Sequence, residues 1–96
     1  MKILSVFGSA KFVMRRLENY LLEHRFNPIR VDYNSREIDA ERTLLFFRKD
    51  ILKLKITSAK DDIATIELEV NPTRDGNKPS VAAKESKILG EIYGYF

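Results

Sequence analysis

The fold is decided by residues 51–70, which read ILKLKITSAKDDIATIELEV. Apolar side chains alternate with Lys or Thr before the central KDD and with Thr or Glu after it, which is the period of a half-buried strand. With 60–62 as a three-residue turn, Leu54 faces Leu68 on the inner side of a hairpin. A slip of one residue would set apolar side chains opposite charged ones along the whole pairing. The stretch therefore predicts an antiparallel hairpin in this register.

The outer side of this hairpin is predicted to be close to neutral. Its predicted cross-strand pairs are Thr57 with Thr65, Lys55 with Glu67, and Lys53 with Glu69. A sheet surface that binds phosphates needs uncompensated cations with aromatic side chains beside them. This side has neither, so we do not expect nucleic acid to bind there.

The flanking sequence supplies the other elements. They are a strand over 2–7, a helix over 10–25 with Ser9 as its N-cap, strands over 29–33 and 43–47, and a short helix over 81–89 with Ser80 as its N-cap. The order of strand, helix and strand over 2–33 fits a parallel unit with a right-handed crossover. Residues 35–41 are polar, and a loop and a helical turn both remain open for them.

Together these elements predict an α+β fold. We expect a mainly antiparallel sheet of four or five strands, ordered β-α-β-β-β-α, with one long helix on one face and a short C-terminal helix. A chain of 96 residues has the length of a single domain, here 1–96. The absence of cysteine excludes disulfides and cysteine-ligated metal sites. No stretch resembles a signal peptide or a membrane span, so we expect a cytoplasmic protein.

Basic residues are concentrated in the first third of the chain. The net charge is +3 overall, but residues 1–30 carry six basic against two acidic side chains. Lys11, Arg15 and Arg16 form a candidate basic helix face, and Arg74 with Lys78 forms a second basic group in a predicted loop. Clustered basic residues are typical of surfaces that bind nucleic acid.

The C-terminus is aromatic and gives a second candidate surface. Tyr93, Tyr95 and Phe96 have three interpretations: they cover the chain's own core, they cap a strand edge, or they bind a protein partner. A second copy of the chain is one such partner, so a homodimer is one of the hypotheses.

Catalytic and metal-binding patterns are weak. His24 is the single histidine and lies on the apolar side of the first helix, near its C-terminus, where a structural role fits. The acidic residues form two small groups, which are Asp32, Glu37, Asp39 and Glu41, and then Asp61 and Asp62. We interpret the first group as solvated and the second as turn residues. No catalytic residue, metal or cofactor is predicted.

Three functions from different classes stay open. The first is a non-enzymatic binding or regulatory module that contacts nucleic acid through the basic helix face. The second is a protein-interaction module, either an inhibitor or an assembly subunit, that uses the aromatic C-terminus and a sheet edge. The third is a small metal-independent ribonuclease with basic and tyrosine side chains at its site. The sequence favours binding over catalysis, and it does not separate nucleic acid from protein as the partner.

Overall fold

The predicted α+β class is confirmed by a computed structural model, which describes residues 2–43, 49–72 and 78–96. In chain order the elements are β1 (Lys2–Phe7), α1 (Ala10–Glu23), β2 (Ile29–Asp32), β3 (Glu37–Thr43), β4 (Lys49–Lys60), β5 (Ile63–Pro72) and α2 (Lys78–Tyr93). Four strands therefore separate the two helices, one more than in the predicted order. The strand predicted over 43–47 lies outside the described residues except for Thr43, which ends β3.

The sheet is antiparallel throughout, in the order β1-β5-β4-β3-β2. β1 and β2 run in the same direction, but three strands separate them because each occupies one edge. The strand–helix–strand unit predicted over 2–33 is therefore a crossover between parallel strands, but these two strands do not pair with each other. α1 instead carries the chain across one face of the sheet, from the edge at β1 to the edge at β2.

The central hairpin has the predicted register over most of its length but a different turn. Leu54 pairs with Leu68, and the register is regular from Asp50 to Ile56. The turn has two residues rather than three, Asp61 and Asp62, whose φ angles of 55° and 62° are both left-handed. Two consecutive left-handed residues give a turn whose twist matches that of the flanking strands, and Asp tolerates this conformation better than most residues.

A bulge at Thr57 reconciles the shorter turn with the register. Ile56 pairs with Ile66, but the next pair is Ser58 with Thr65, so Thr57 has no direct partner. The predicted pair of Thr57 with Thr65 is therefore wrong. Because the two-residue turn leaves one residue too many on β4, the surplus is absorbed as a bulge.

For residues 35–41 a loop and a helical turn both remained open; 35 and 36 lie in a turn, but from Glu37 onward both interpretations are wrong. Residues 33–36 form the turn after β2, and Glu37 begins a strand. Ile38 and Ala40 are buried, while the acidic residues that alternate with them, Glu37, Asp39 and Glu41, lie on the other face. Buried and exposed residues therefore alternate as in a strand, but the pattern is hard to recognise in the sequence because most of its residues are charged.

Both helices pack on the same face of the sheet. α1 lies over β2 and β3, and α2 lies over β5 and β1. The core between the layers comprises Val6, Val13, Met14, Leu17, Tyr20, Leu21, Phe26, Ile38, Ala40, Leu52, Leu54, Ile56, Ala64, Ile66, Leu68, Val70, Ile88, Leu89 and Ile92. Within the described ranges, neither helix is long and apolar enough to cross a membrane.

α2 is longer than predicted at both ends. It begins at Lys78, so Ser80 lies inside the helix rather than at its N-cap. It also continues through Gly90 to Tyr93, although a glycine inside a helix costs about 1 kcal/mol. Burial of Leu89 and Ile92 on either side of the glycine offsets that cost.

The uncovered face of the sheet is acidic at its centre. β3 adds a row of carboxylates beside β4, so Lys55 lies between Glu37 and Glu67, and Lys53 lies between Asp39 and Glu69. Lys55 Nζ is 3.6 Å from Glu37 Oε1. The predicted neutrality holds for the hairpin alone, since β3 adds Glu37, Asp39 and Glu41 to this face, where Arg30 of β2 lies opposite Asp39.

Candidate functional site

A cleft of about 840 Å³ opens at one end of the helix-covered face. Three chain segments line it: the β1–α1 junction at 8–15, the β2–β3 turn at 33–36, and the end of the β4–β5 hairpin at 59–62. We call this region the open end. Its volume lies within the range of small-molecule and cofactor pockets, which is roughly 300–1,000 Å³.

The β1–α1 junction is fixed by a glycine and an N-cap. Gly8 has φ of 141°, and a Cβ there would lie 2.6 Å from Phe12 Cδ1, so no other residue fits without movement. Its N–H donates to Asp62 O at 2.6 Å, which joins this junction to the hairpin turn. Ser9 Oγ accepts from the N–H of Phe12 at 3.2 Å, as predicted for the N-cap.

The β2–β3 turn is held by the carboxylate of Asp32. Its Oδ1 accepts from the N–H groups of Asn34 at 2.9 Å and Ser35 at 3.2 Å. These hydrogen bonds, with those to Ser35 the stronger influence, hold the pKa of Asp32 below its usual range. Arg36 follows with a left-handed φ of 58°, and its C=O accepts from Ile56 N–H at 3.0 Å. The turn thereby places Tyr33 and Arg36 on the rim of the cleft.

The cleft carries more positive than negative charge. Lys11 and Arg15 lie one helical turn apart on α1, and Arg36 faces them from the β2–β3 turn. Asp61 and Asp62 are the two carboxylates of its lining. Among the described residues, none of these five forms an ion pair, and all are exposed. The first turn of α1 adds the positive end of the helix dipole.

Of the other predicted nucleic-acid-binding residues, Arg16 lies outside the lining of this cleft. Arg16 is on α1, but its guanidinium is 5.1 Å from the centre of the Phe12 ring, and it does not line the cleft. Lys78 is the first residue of α2 rather than a loop residue. Arg74 lies outside the described residues. The structure therefore brings Lys11 and Arg15 together at the cleft and leaves Arg16 outside it.

The aromatic C-terminus packs partly against its own chain. The Tyr95 ring meets Tyr20 edge-on with centroids 5.4 Å apart, and its hydroxyl donates to Glu23, which raises the pKa of Tyr95. Phe96 meets Phe12 edge-on at 6.5 Å. Tyr93 is 62% exposed. Tyr95 packs against the core, which agrees with the core-cover interpretation for that residue, whereas Tyr93 and Phe96 both remain exposed.

The opposite end of the same face, which we call the closed end, contains a buried ion network. Asp50 is 1% exposed and lies between Arg42 Nη2 at 3.1 Å and Lys84 Nζ at 2.5 Å. Glu85 is equally buried, and its Oε2 accepts from Val70 N–H at 3.2 Å. Buried charges persist only where partners of this kind satisfy them. The network explains charges that the sequence alone does not show to be internal.

His24 belongs to the closed end. Its Nδ1 is 3.3 Å from Glu91 Oε2, and its ring lies 4.3 Å from that of Tyr20. Burial, and then the nearby Glu91 carboxylate, raise the pKa of Tyr20. Because these side chains fill the junction between α1 and α2, a structural role suits the histidine, as the sequence predicted.

Sequence analysis missed Tyr33 and Arg36 as site residues. They lie some 20 residues beyond Lys11 and Arg15, and only the fold brings them close. One signal was present: Asp32 followed by Asn34 and Ser35 is a turn sequence between apolar-alternating segments. The end of that turn would then be expected at the same sheet end as the start of α1.

Neither a search for metal-binding clusters nor comparison with known proteins assigns a function to the described residues. Within 2–43, 49–72 and 78–96, no set of three or more His, Asp or Glu side chains is close enough to hold a metal ion. Neither a protein-family model nor a curated protein sequence matches this chain. Its function must therefore be argued from the geometry of the open end.

Proposed function

We propose that this protein is a non-enzymatic module that binds single-stranded nucleic acid in the cleft of the open end. The observation that carries the proposal is the convergence of Lys11 and Arg15 with Arg36 and the exposed Tyr33 around one concave surface. The backbone phosphates lie along the cations, and one base stacks on the tyrosine ring.

Unpaired cations support an anionic ligand. A cation already paired with a carboxylate gains little from a phosphate, whereas Lys11, Arg15 and Arg36 form no such pairs among the described residues. Arginine also matches phosphate with two parallel N–H donors. The N-terminal turn of α1 adds backbone N–H groups and a favourable dipole.

The exposure of Tyr33 at the rim of the cleft favours a single strand over a duplex. Tyr33 is 45% exposed, so its ring is available at the rim of the cleft. A base can reach such a ring only when it is unpaired, and stacking of this kind is worth about 1–3 kcal/mol per base. A duplex presents no free base faces, so it cannot make this stacking contact.

The first experiment is fluorescence anisotropy with single-stranded RNA, single-stranded DNA and duplex DNA, each at low and moderate salt. We expect single strands to bind more tightly than duplex, with an affinity that falls steeply as salt rises. Absence of binding to every probe at low salt would remove the proposal.

Two neighbouring arginines give a matched pair of variants. Arg15→Ala should weaken single-strand binding by about tenfold and lower the salt slope by about 0.7, because one phosphate contact is lost. Arg16→Ala removes the same charge from the contact with Phe12 outside the cleft, and should change affinity far less. Equal losses in the two variants would mean that net charge, rather than the cleft, carries binding.

Tyr33 separates stacking from charge. Tyr33→Ala should weaken single-strand binding by about fivefold or more without changing the salt slope, whereas Tyr33→Phe should retain it. If both variants bind as the wild type does, the base does not stack there.

The ribonuclease hypothesis remains an outcome of the same assay. Its residues would be Tyr33 and the cations of the cleft, because His24 lies at the other end of α1. RNA shortened by the wild type but not by Tyr33→Phe would favour catalysis over binding. Intact RNA after prolonged incubation would leave binding as the activity.

A further inference from the structure

The two edges of the sheet differ in how they are protected from other strands. β2 has four residues, follows Pro28, and carries Arg30 and Asp32, all of which discourage pairing with another chain. β1 has six residues, and its stretch Ile3–Phe7 contains neither charge nor proline. Among the described strands only β5 pairs with it, and none of them covers its other edge.

Large apolar side chains are exposed beside this open edge. Phe7 is 79% exposed, Ile3 is 59% exposed, and Ile63 lies opposite Phe7 on β5 at 42% exposed. All three project from the uncovered face of the sheet. An apolar strip of this kind next to a free strand edge indicates a protein contact rather than an ordinary solvent surface.

The free backbone groups of β1 can be assigned. The N–H of Gly8 points toward β5, since it donates to Asp62 O. Neighbouring peptide groups along a strand point in alternate directions. The N–H and C=O groups of Ile3, Ser5 and Phe7 therefore point away from β5, toward the open edge, where a further strand could bind them.

We propose that this edge pairs with β1 of a second copy, antiparallel, about a two-fold axis at Ser5. In this register Ile3 faces Phe7 of the second copy on the uncovered face, and Leu4 faces its Val6 on the helix-covered face. The apolar pattern of the strand is thus self-complementary, as a two-fold interface requires. The three outward-pointing residues of each copy exchange hydrogen bonds, and the two sheets become one.

Charge complementarity favours the same register. Lys2 is the charged residue of β1, and it faces Gly8 of the second copy. Gly8 is hydrogen-bonded to Asp62, so the lysine approaches the acidic turn of Asp61 and Asp62. A two-fold axis at Leu4 would instead set Lys2 opposite the buried Val6. This inference does not depend on nucleic-acid binding.

Sedimentation velocity over a range of concentrations tests the proposal. The wild type should associate reversibly to a dimer, and Ile3→Lys should weaken that association by at least about tenfold. Leu22→Lys is the matched control, because Leu22 is also 59% exposed but lies on α1. It should leave the dimer intact. A wild type that stays monomeric, or a dimer indifferent to Ile3→Lys, would overturn the proposal.

Disulfide cross-linking tests the register, since the chain has no cysteine of its own. In Ser5→Cys the two cysteines are opposite each other, about 5.5 Å apart at Cα, and should form an intermolecular disulfide on oxidation. In Ile3→Cys the two cysteines are about 14 Å apart along the strands, too far for a bond. Equal cross-linking of the two variants, or none in Ser5→Cys, would exclude this register.

Discussion

Among the described residues, charged side chains are buried and paired at one end of the helix-covered face, and exposed and unpaired at the other. At the closed end, Asp50 is nearly inaccessible, and Arg42 and Lys84 both contact it. At the open end, Lys11 and Arg36 are exposed and form no ion pair among the described residues. The same residue types therefore serve stability at one end and remain available to a ligand at the other.

The difference separates charges that stabilise the fold from charges that a ligand can reach. A buried carboxylate with two cationic partners is costly to disturb, and its partners are not available to a phosphate. Exposed and unpaired cations contribute little to stability, so stability does not explain why they lie together around one concave surface. Substitutions at the two ends should therefore separate stability from binding.

The largest expected effect is at Asp50. Asp50→Ala should lower the free energy of unfolding by about 2–3 kcal/mol, because Arg42 and Lys84 lose their shared partner. Their partial exposure keeps the loss below that of a fully buried pair. Urea unfolding measures this change, with the exposed Asp39→Asn as control. If the two variants are equally stable, the closed end is not a stabilising network.

The next effect concerns the acidic side of the cleft. Replacing Asp61 and Asp62 together by Asn should strengthen single-strand binding by about fivefold to tenfold at low salt, since two repulsive charges disappear. Asn tolerates the left-handed conformation of both positions, so the hairpin should keep its stability. Anisotropy at two salt concentrations measures the gain, which should shrink as salt rises. Unchanged affinity would mean that the ligand does not approach this turn.

A smaller effect is expected from the turn that holds Tyr33 and Arg36. Asp32→Ala removes the acceptor of two backbone N–H groups, so the turn loosens and single-strand affinity should fall by about threefold to fivefold. Asp32→Asn keeps an acceptor oxygen and should lose less. Anisotropy compares the variants, and equal affinities of wild type and Asp32→Ala would show that the turn need not be rigid.

The smallest expected effect is a loss of stability at alkaline pH, which arises at the closed end. The pKa of Tyr20 is raised in the folded protein, so its stabilising contribution is complete below pH 10, the ordinary tyrosine value, and falls as pH rises beyond it. Between pH 10 and 11 the wild type should lose up to about 1 kcal/mol more than Tyr20→Phe. Urea unfolding at a series of pH values checks this difference. Parallel losses in the two proteins would contradict it.

Much of the fold could be predicted because two strands constrain each other. The pairing of Leu54 with Leu68 follows from alternation on two segments that must agree on both faces. The bulge at Thr57 was not predictable in this way, because it depends on whether the turn has two or three residues. β3 was missed because Ile38 and Ala40 are its only apolar residues. The residues around them, Glu37, Asp39, Glu41 and Arg42, are all charged.

The candidate site was only half predictable. Lys11 and Arg15 are close in sequence, and helical spacing alone puts them on one side of α1. Arg36 joins them because α1 crosses the sheet from one edge to the other, which depends on strand order. Strand order is a global property of the packed sheet, and local patterns do not encode it.

The two faces of the sheet differ in charge, because the uncovered face is acidic at its centre. Carboxylates of β3 and β5 flank Lys53 and Lys55 on that side, whereas the cations of the open end lie on the helix side. A polyanion bound in the cleft is repelled from the reverse face, so successive molecules on one strand would all turn their sheets outward. Under the proposed function, each bound molecule would then turn the carboxylate-rich centre of its sheet away from the strand.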